Sequence, residues 1–120
     1  MTFGQFFRAM RSKQEISLRA FCLDNGFDPG NISRMERGTL PPPESRERLE
    51  RYAKALGIRQ GSDDWYMLFD LAAAERGRIP DDVLSDDDVV DRLPILFRTL
   101  RGQRVDNKDL DDLIERIRRA

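Results

Sequence analysis

Histidine is absent from this chain, and with it the commonest general base and metal-ligating side chain. The single cysteine, Cys22, cannot form a disulfide within the chain. It falls on an apolar helical stripe and reads as a small core residue; a thiol switch is the rival reading. No Gly-rich phosphate loop, zinc-ligand spacing or nucleophile elbow occurs. Carboxylates are plentiful, but their spacing places them on solvent faces. Catalysis is therefore not expected, nor is a cofactor or a metal. No run approaches the ~18 apolar residues needed to cross a bilayer. The opening MTFGQFFRAM has neither the basic start nor the continuous apolar core of a secretory signal. The expectation is a cytoplasmic protein with no membrane partner.

What remains is charge and helical periodicity. Charged residues make up 36% of the chain and apolar residues 39%, a helix-rich balance. The 120 residues suit one domain, or one domain and an appended helical module. Such a chain can bury about two-thirds of its unfolded surface. The net charge of −1 hides an asymmetry: residues 1–60 carry +4 and residues 61–120 carry −5. A basic N-terminal half suits a polyanion, and the acidic half needs another role.

The chain is organised around residues 16–38, ISLRAFCLDNGFDPGNISRMERG. Ser17 is a candidate N-cap, and Leu18, Phe21 and Cys22 form one apolar stripe. Asn25-Gly26 ends that helix, because Gly accepts the left-handed conformation a helix C-terminus needs. Asp28 can cap the next helix, with Pro29 at its first position, where a missing N–H is harmless. Ile32 and Met35 face inward, and Gly38 closes the unit. Two short helices joined by a Gly-containing turn match the helix-turn-helix pattern.

This stretch resembles the phage-repressor-type, XRE-like helix-turn-helix family, whose second helix tends to end in the string seen here as Ile32-Ser33-Arg34-Met35-Glu36-Arg37-Gly38. The similarity covers roughly residues 3–58. It implies that the helix over 29–37 is a recognition helix. It also implies an ion pair between Arg11, on a first helix over 3–12, and Glu36. On that helix Gly30, Asn31 and Arg34 lie outward, opposite Ile32 and Met35, and are the candidate base contacts. The planar fork of Arg34 matches the O6/N7 pair of guanine; Asn31 suits adenine or a phosphate. Arg19, Ser33, Arg37 and Thr39 are the candidate phosphate contacts. Leu18, Pro29 and Gly30 depart from the family, which often has Gln or Ser at these positions.

Phe3, Phe6, Phe7 and Met10 form the stripe of the first helix. TLPPPE, at 39–44, is a stiff connector rather than a PPII ligand. Ser45 caps a fourth helix over 46–56, with Leu49, Tyr52, Ala53 and Leu56 inward. Ser62 or Asp63 caps a fifth over 63–76, in which Trp65, Leu68, Phe69, Leu71 and Ala72 form the apolar face. The aspartates of DDVLSDDDVVD, 81–91, lack the EF-hand pattern and are better explained by the positive ends of helices. A helix over 86–101 places Val89, Val90, Leu93, Leu96, Phe97 and Leu100 inward, with Pro94 kinking or dividing it. Asp106 or Asn107 caps a last amphipathic helix with Leu110, Leu113, Ile114 and Ile117 on one face.

The expected fold is all-α: a five-helix repressor-type helix-turn-helix domain and a small helical C-terminal module. The boundary falls between a DNA-binding domain over 1–61 and a dimerisation or partner-binding module over 62–120. The expected function is a sequence-specific transcriptional regulator, a homodimeric autorepressor on double-stranded DNA. One rival is an antitoxin-type protein that neutralises a protein partner through 78–120 while repressing its own operon. A helical adaptor with a relic helix-turn-helix is the other.

Overall fold

Thr2 starts the first helix. Its hydroxyl accepts the Gln5 N–H at 3.1 Å while its own N–H donates to Gln5 Oε1 at 2.9 Å, a reciprocal capping box. The computed structural model describes residues 1–102 and, beyond them, Lys108, Asp111, Asp112, Ile114, Glu115 and Arg118. The protein is all-helical, with no strand among the described residues. The chain divides into two compact units, Met1–Arg78 and Ile79–Ala120.

The first unit holds α1 (Phe3–Ser12), α2 (Leu18–Asn25), α3 (Pro29–Glu36), α4 (Arg46–Ala55) and α5 (Asp63–Glu75). Ser17, Asp28, Ser45 and Ser62 cap α2 to α5, each accepting a backbone N–H three residues on. The core is built on aromatic rings. Phe7, fully buried, meets Phe21 and Tyr52 edge-on, with centroids 5.9 and 5.3 Å away, and Phe27 meets Tyr52 at 5.1 Å. Such edge contacts add about 0.5–1.5 kcal/mol each beyond burial. Cys22, Ile32, Met35, Leu49, Ala53, Leu68 and Ala72 complete the packing. Cys22 is free and buried.

The first compact unit runs past the boundary expected after residue 61 and ends at Arg78, and α5 is part of its core. Leu68 and Ala72 are buried in it, and Trp65, Phe69 and Leu71 pack against it. Two neighbouring side chains at the end of α5 also bind back. Glu75 Oε1 accepts the Phe3 N–H at 2.8 Å. The Arg76 guanidinium donates to Pro42 O, from Nε at 2.9 Å and from Nη2 at 2.5 Å, and its Nη1 reaches Glu44 at 3.0 Å. One helix end thus holds both the start of α1 and the proline loop that follows α3.

The second unit holds α6 (Asp81–Leu84) and α7 (Asp87–Leu100). Asp81 and Asp82 occupy the first turn of α6. Asp86 caps α7 by accepting the Asp88 N–H at 2.9 Å and the Val89 N–H at 3.4 Å. Two expectations for this stretch change. Pro94 does not divide α7, which is continuous through it. The proline removes only the hydrogen bond to the Val90 carbonyl, and both residues are exposed, where water can take the acceptor. Of the six apolar residues expected inward, only Val89 and Leu93 are buried. Val90 and Phe97 are 38% exposed and Leu100 is 75% exposed. α6 is four residues long and covers only the beginning of the stripe. Of the expected last helix, Ile114 is described and is 40% exposed; Leu110, Leu113, Ile117 and the caps Asp106 and Asn107 lie outside the described residues.

Candidate nucleic-acid interface

Residues 17–40 build the site. α2 ends at Gly26 in the left-handed conformation (φ 70°), where the Asn25 side chain also donates to Phe21 O at 2.8 Å. The chain then turns through Phe27 and re-enters a helix at Asp28, whose Oδ2 accepts the Asn31 N–H at 3.0 Å. Pro29 takes the first helical position. Ile32 and Met35 are sunk in the core at 2% and 3% exposure, which fixes the rotation of α3 about its axis.

That rotation leaves Asn31 and Arg34 exposed. The two are joined: Arg34 Nη2 donates to Asn31 Oδ1 at 2.7 Å. The fork lies over Gly30, where an added Cβ would stand 3.6 Å from both Nη atoms of Arg34 and 3.4 Å from Asp28 Oδ2. Gly30 itself is half-buried. The three expected base-contact residues therefore form one continuous patch. Its chemistry is a planar cation with donors to spare beside a carboxamide that offers two more.

The four expected phosphate contacts do not form such a group. Arg37 Nε bends back to Ser33 O at 3.3 Å, and the Thr39 hydroxyl donates to Arg34 O at 3.1 Å. The Thr39 and Leu40 N–H groups bind the same carbonyl. Arg37 and Thr39 thus finish the C-terminus of α3 while remaining exposed. Ser33 is half-buried, and Arg19 is exposed on α2.

At the other end of α3, Arg11 donates to both oxygens of Glu36, Nε at 2.7 Å and Nη2 at 3.0 Å. The side chains are only 11% and 6% exposed. The hydrogen bond to Glu36 holds the Arg11 guanidinium above its ordinary range, outweighing the opposing effect of burial. About two turns earlier on α1, Gly4 lies against the backbone of α3. A Cβ there would collide with Met35 O and would come within 2.7 Å of Glu36 O.

Two features escaped the sequence reading. Gly4 is one; a glycine inside a helix gives no sign of what approaches it. The other is a cleft of about 140 Å³ between the turn, the start of α3 and α4. Arg48 and Arg51 line it from α4, opposite Phe27, Asp28 and Asn31. Two arginines at i, i+3 beside Tyr52 were the available signal.

An α2 anchored by Phe21 and Cys22, a tight left-handed turn and an α3 with one face in the core and the other presented outward define a helix-turn-helix module of the DNA-binding class. A protein-family model described as a helix-turn-helix domain matches residues 2–63, and the chain belongs to that family. No curated protein and no solved structure matches it. The family match stops at the first residue of α5, so the helix that clasps α1 and the proline loop lies beyond it. No described helix is long and apolar enough to cross a membrane.

Proposed function

We propose that this chain is a sequence-specific DNA-binding transcriptional regulator, a homodimeric autorepressor that inserts α3 into the major groove. The observation that carries the reading is the exposed Asn31–Arg34 pair, held at 2.7 Å on a helix whose opposite face is buried. On DNA, Arg34 turns its fork to the O6 and N7 of a guanine. Asn31 then takes an adjacent adenine or phosphate, and Gly30 leaves room for a base edge. Arg19, Ser33, Arg37 and Thr39 meet the backbone and give the affinity its salt dependence. Two copies place their helices one turn apart, about 34–36 Å, on a roughly palindromic site. The role is binding, not catalysis, in the cytoplasm, with no cofactor.

The test is a gel shift on the chain's own upstream DNA against a scrambled fragment at two salt concentrations. A discrete, tighter shift on the native fragment is expected. Equal, salt-labile smearing on both would overturn sequence-specific regulation and leave the relic-domain reading. A second reading is favoured by the exposed Phe97 and Leu100 on α7. It holds that residues 78–120 bind and neutralise a protein partner, as an antitoxin does. Absence of any co-purifying protein when neighbouring genes are co-expressed would count against it.

A further inference from the structure

We propose that the cleft between the helix-turn-helix turn and α4 is a phosphate subsite, in which Arg48 and Arg51 grip the DNA backbone beside the groove that α3 enters. The inference rests on the DNA-binding reading above and adds a contact surface outside α2 and α3.

Three observations carry it. First, two guanidinium groups stand on one cleft without a salt-bridge partner. Neither Arg48 nor Arg51 makes an ion pair among the described residues. Like charges at i, i+3 on a helix repel, so the arrangement suits an anion between them. Second, each side chain has an aromatic partner. Arg51 lies over the Phe27 ring, 5.8 Å from its centroid, and Arg48 Nη2 is 3.5 Å from the Tyr52 hydroxyl. Phe27 and Tyr52 themselves meet edge-on in the core. Both contacts turn the exposed guanidinium groups toward the cleft that they line. Third, the cleft adjoins the base-facing patch. Asn31 lines it and also accepts the Arg34 guanidinium. A helix lying in the groove brings the neighbouring sugar-phosphate strand to this side of its N-terminus. The one carboxylate in the lining, Asp28, is engaged in capping α3 through Asn31 N–H. The lining keeps a net positive charge, and about 140 Å³ admits a phosphate group and its water.

The ligand is a phosphodiester, read without sequence preference. The experiment measures the affinity of the full chain for a short duplex of arbitrary sequence and for its own upstream fragment across a salt series. In Arg48→Gln/Arg51→Gln the slope of log affinity against log salt should fall by about two, near 0.9 for each lost contact, equally on both duplexes. Lys54→Gln removes a cation from the same helix outside the cleft and should leave the slope unchanged. Arg48→Lys/Arg51→Lys keeps the charge and loses the planar forks and the Arg51 contact with the Phe27 ring, so its slope should stay that of the wild type. An unchanged slope in the Gln pair overturns the subsite, as does an equal fall in Lys54→Gln or a lost slope in the Lys pair, which would mark a packing role only. In each of those outcomes the wild type still shifts DNA, and the DNA-binding reading stands. A wild-type chain that shifts neither duplex overturns both.

Discussion

The two faces of α3 are built to opposite purposes. On the inner face, α1 holds the helix twice: Gly4 lies against the Met35 and Glu36 carbonyls, and Arg11 clasps the Glu36 carboxylate with two hydrogen bonds. The outer face is different: the side chains of Asn31 and of Arg34, which stands in the last turn, are exposed, while Asp28 caps the start of the helix. A helix that reads a groove needs this separation. If the groups that fix its position also faced the ligand, every change of specificity would loosen the fold. Here the residues that place α3, Arg11, Met35 and Glu36, are buried or half-buried, and those proposed to read DNA, Asn31 and Arg34, are exposed. The largest predicted effects therefore fall on stability and come from the anchored face.

Glu36→Ala should be the most damaging single change, at about 3–5 kcal/mol, because it leaves the Arg11 charge buried without a partner. Urea or thermal unfolding checks it; a loss below about 1 kcal/mol would mean that the pair is not an anchor. Arg11→Met with Glu36→Leu sharpens the point. Replacing both partners removes the unpaired charge and should recover most of the loss. Gly4→Ala comes next. In an open helix the change would stabilise by about 1 kcal/mol. Here the new methyl meets backbone oxygens that cannot rotate away, so a loss of about 1–3 kcal/mol is expected instead. The sign alone decides whether α1 and α3 touch as closely as described.

On the exposed face the pattern should invert. Arg34→Ala should leave unfolding within about 0.5 kcal/mol of the wild type, as surface substitutions do. On its specific site it should weaken DNA binding by about 1–3 kcal/mol and relax the preference at one base pair. A variant that melts early but binds normally would reverse the assignment of the two faces.

The helices and their caps were legible in the sequence because their determinants are local. Phe3, Phe6, Phe7 and Met10 recur at helical spacing, and Ser17, Asp28, Ser45 and Ser62 each stand just before a stripe. The pairing of Arg11 with Glu36 came from the family resemblance. What stayed hidden was long-range. Gly4 looks like a weak point in α1 until α3 lies across it. Glu75 and Arg76 look like an ordinary polar helix end, yet their partners are 72 and 34 residues away, at Phe3 and Pro42. Arg48 and Arg51 gain meaning only when α4 packs beside the turn. The outward stripe of α7 failed for the converse reason: its spacing announces a buried face, but its described partner α6 is too short to cover it.

The smallest predicted effect joins the two ends of α3 through Cys22. Burial pushes its thiol above the ordinary value of 9.0, the Glu36 carboxylate adds to the rise, the Arg11 cation opposes it, and Asp28 contributes a further increase. A raised pKa in the folded state means that the native protein keeps the proton after the unfolded chain has released it. The thiol's contribution is therefore fully present below about pH 9 and is lost as pH climbs through the folded value. Other groups titrate in the same range, so the informative quantity is the difference between wild type and Cys22→Ala. That difference should be flat from about pH 7 to about pH 8.5 and should shrink above pH 9, because only the wild type has a thiol to lose. Urea unfolding across that range measures it. A difference that grows with alkalinity would mean that the folded state stabilises the thiolate, and the balance between Glu36 and Arg11 beneath α3 would then lie the other way.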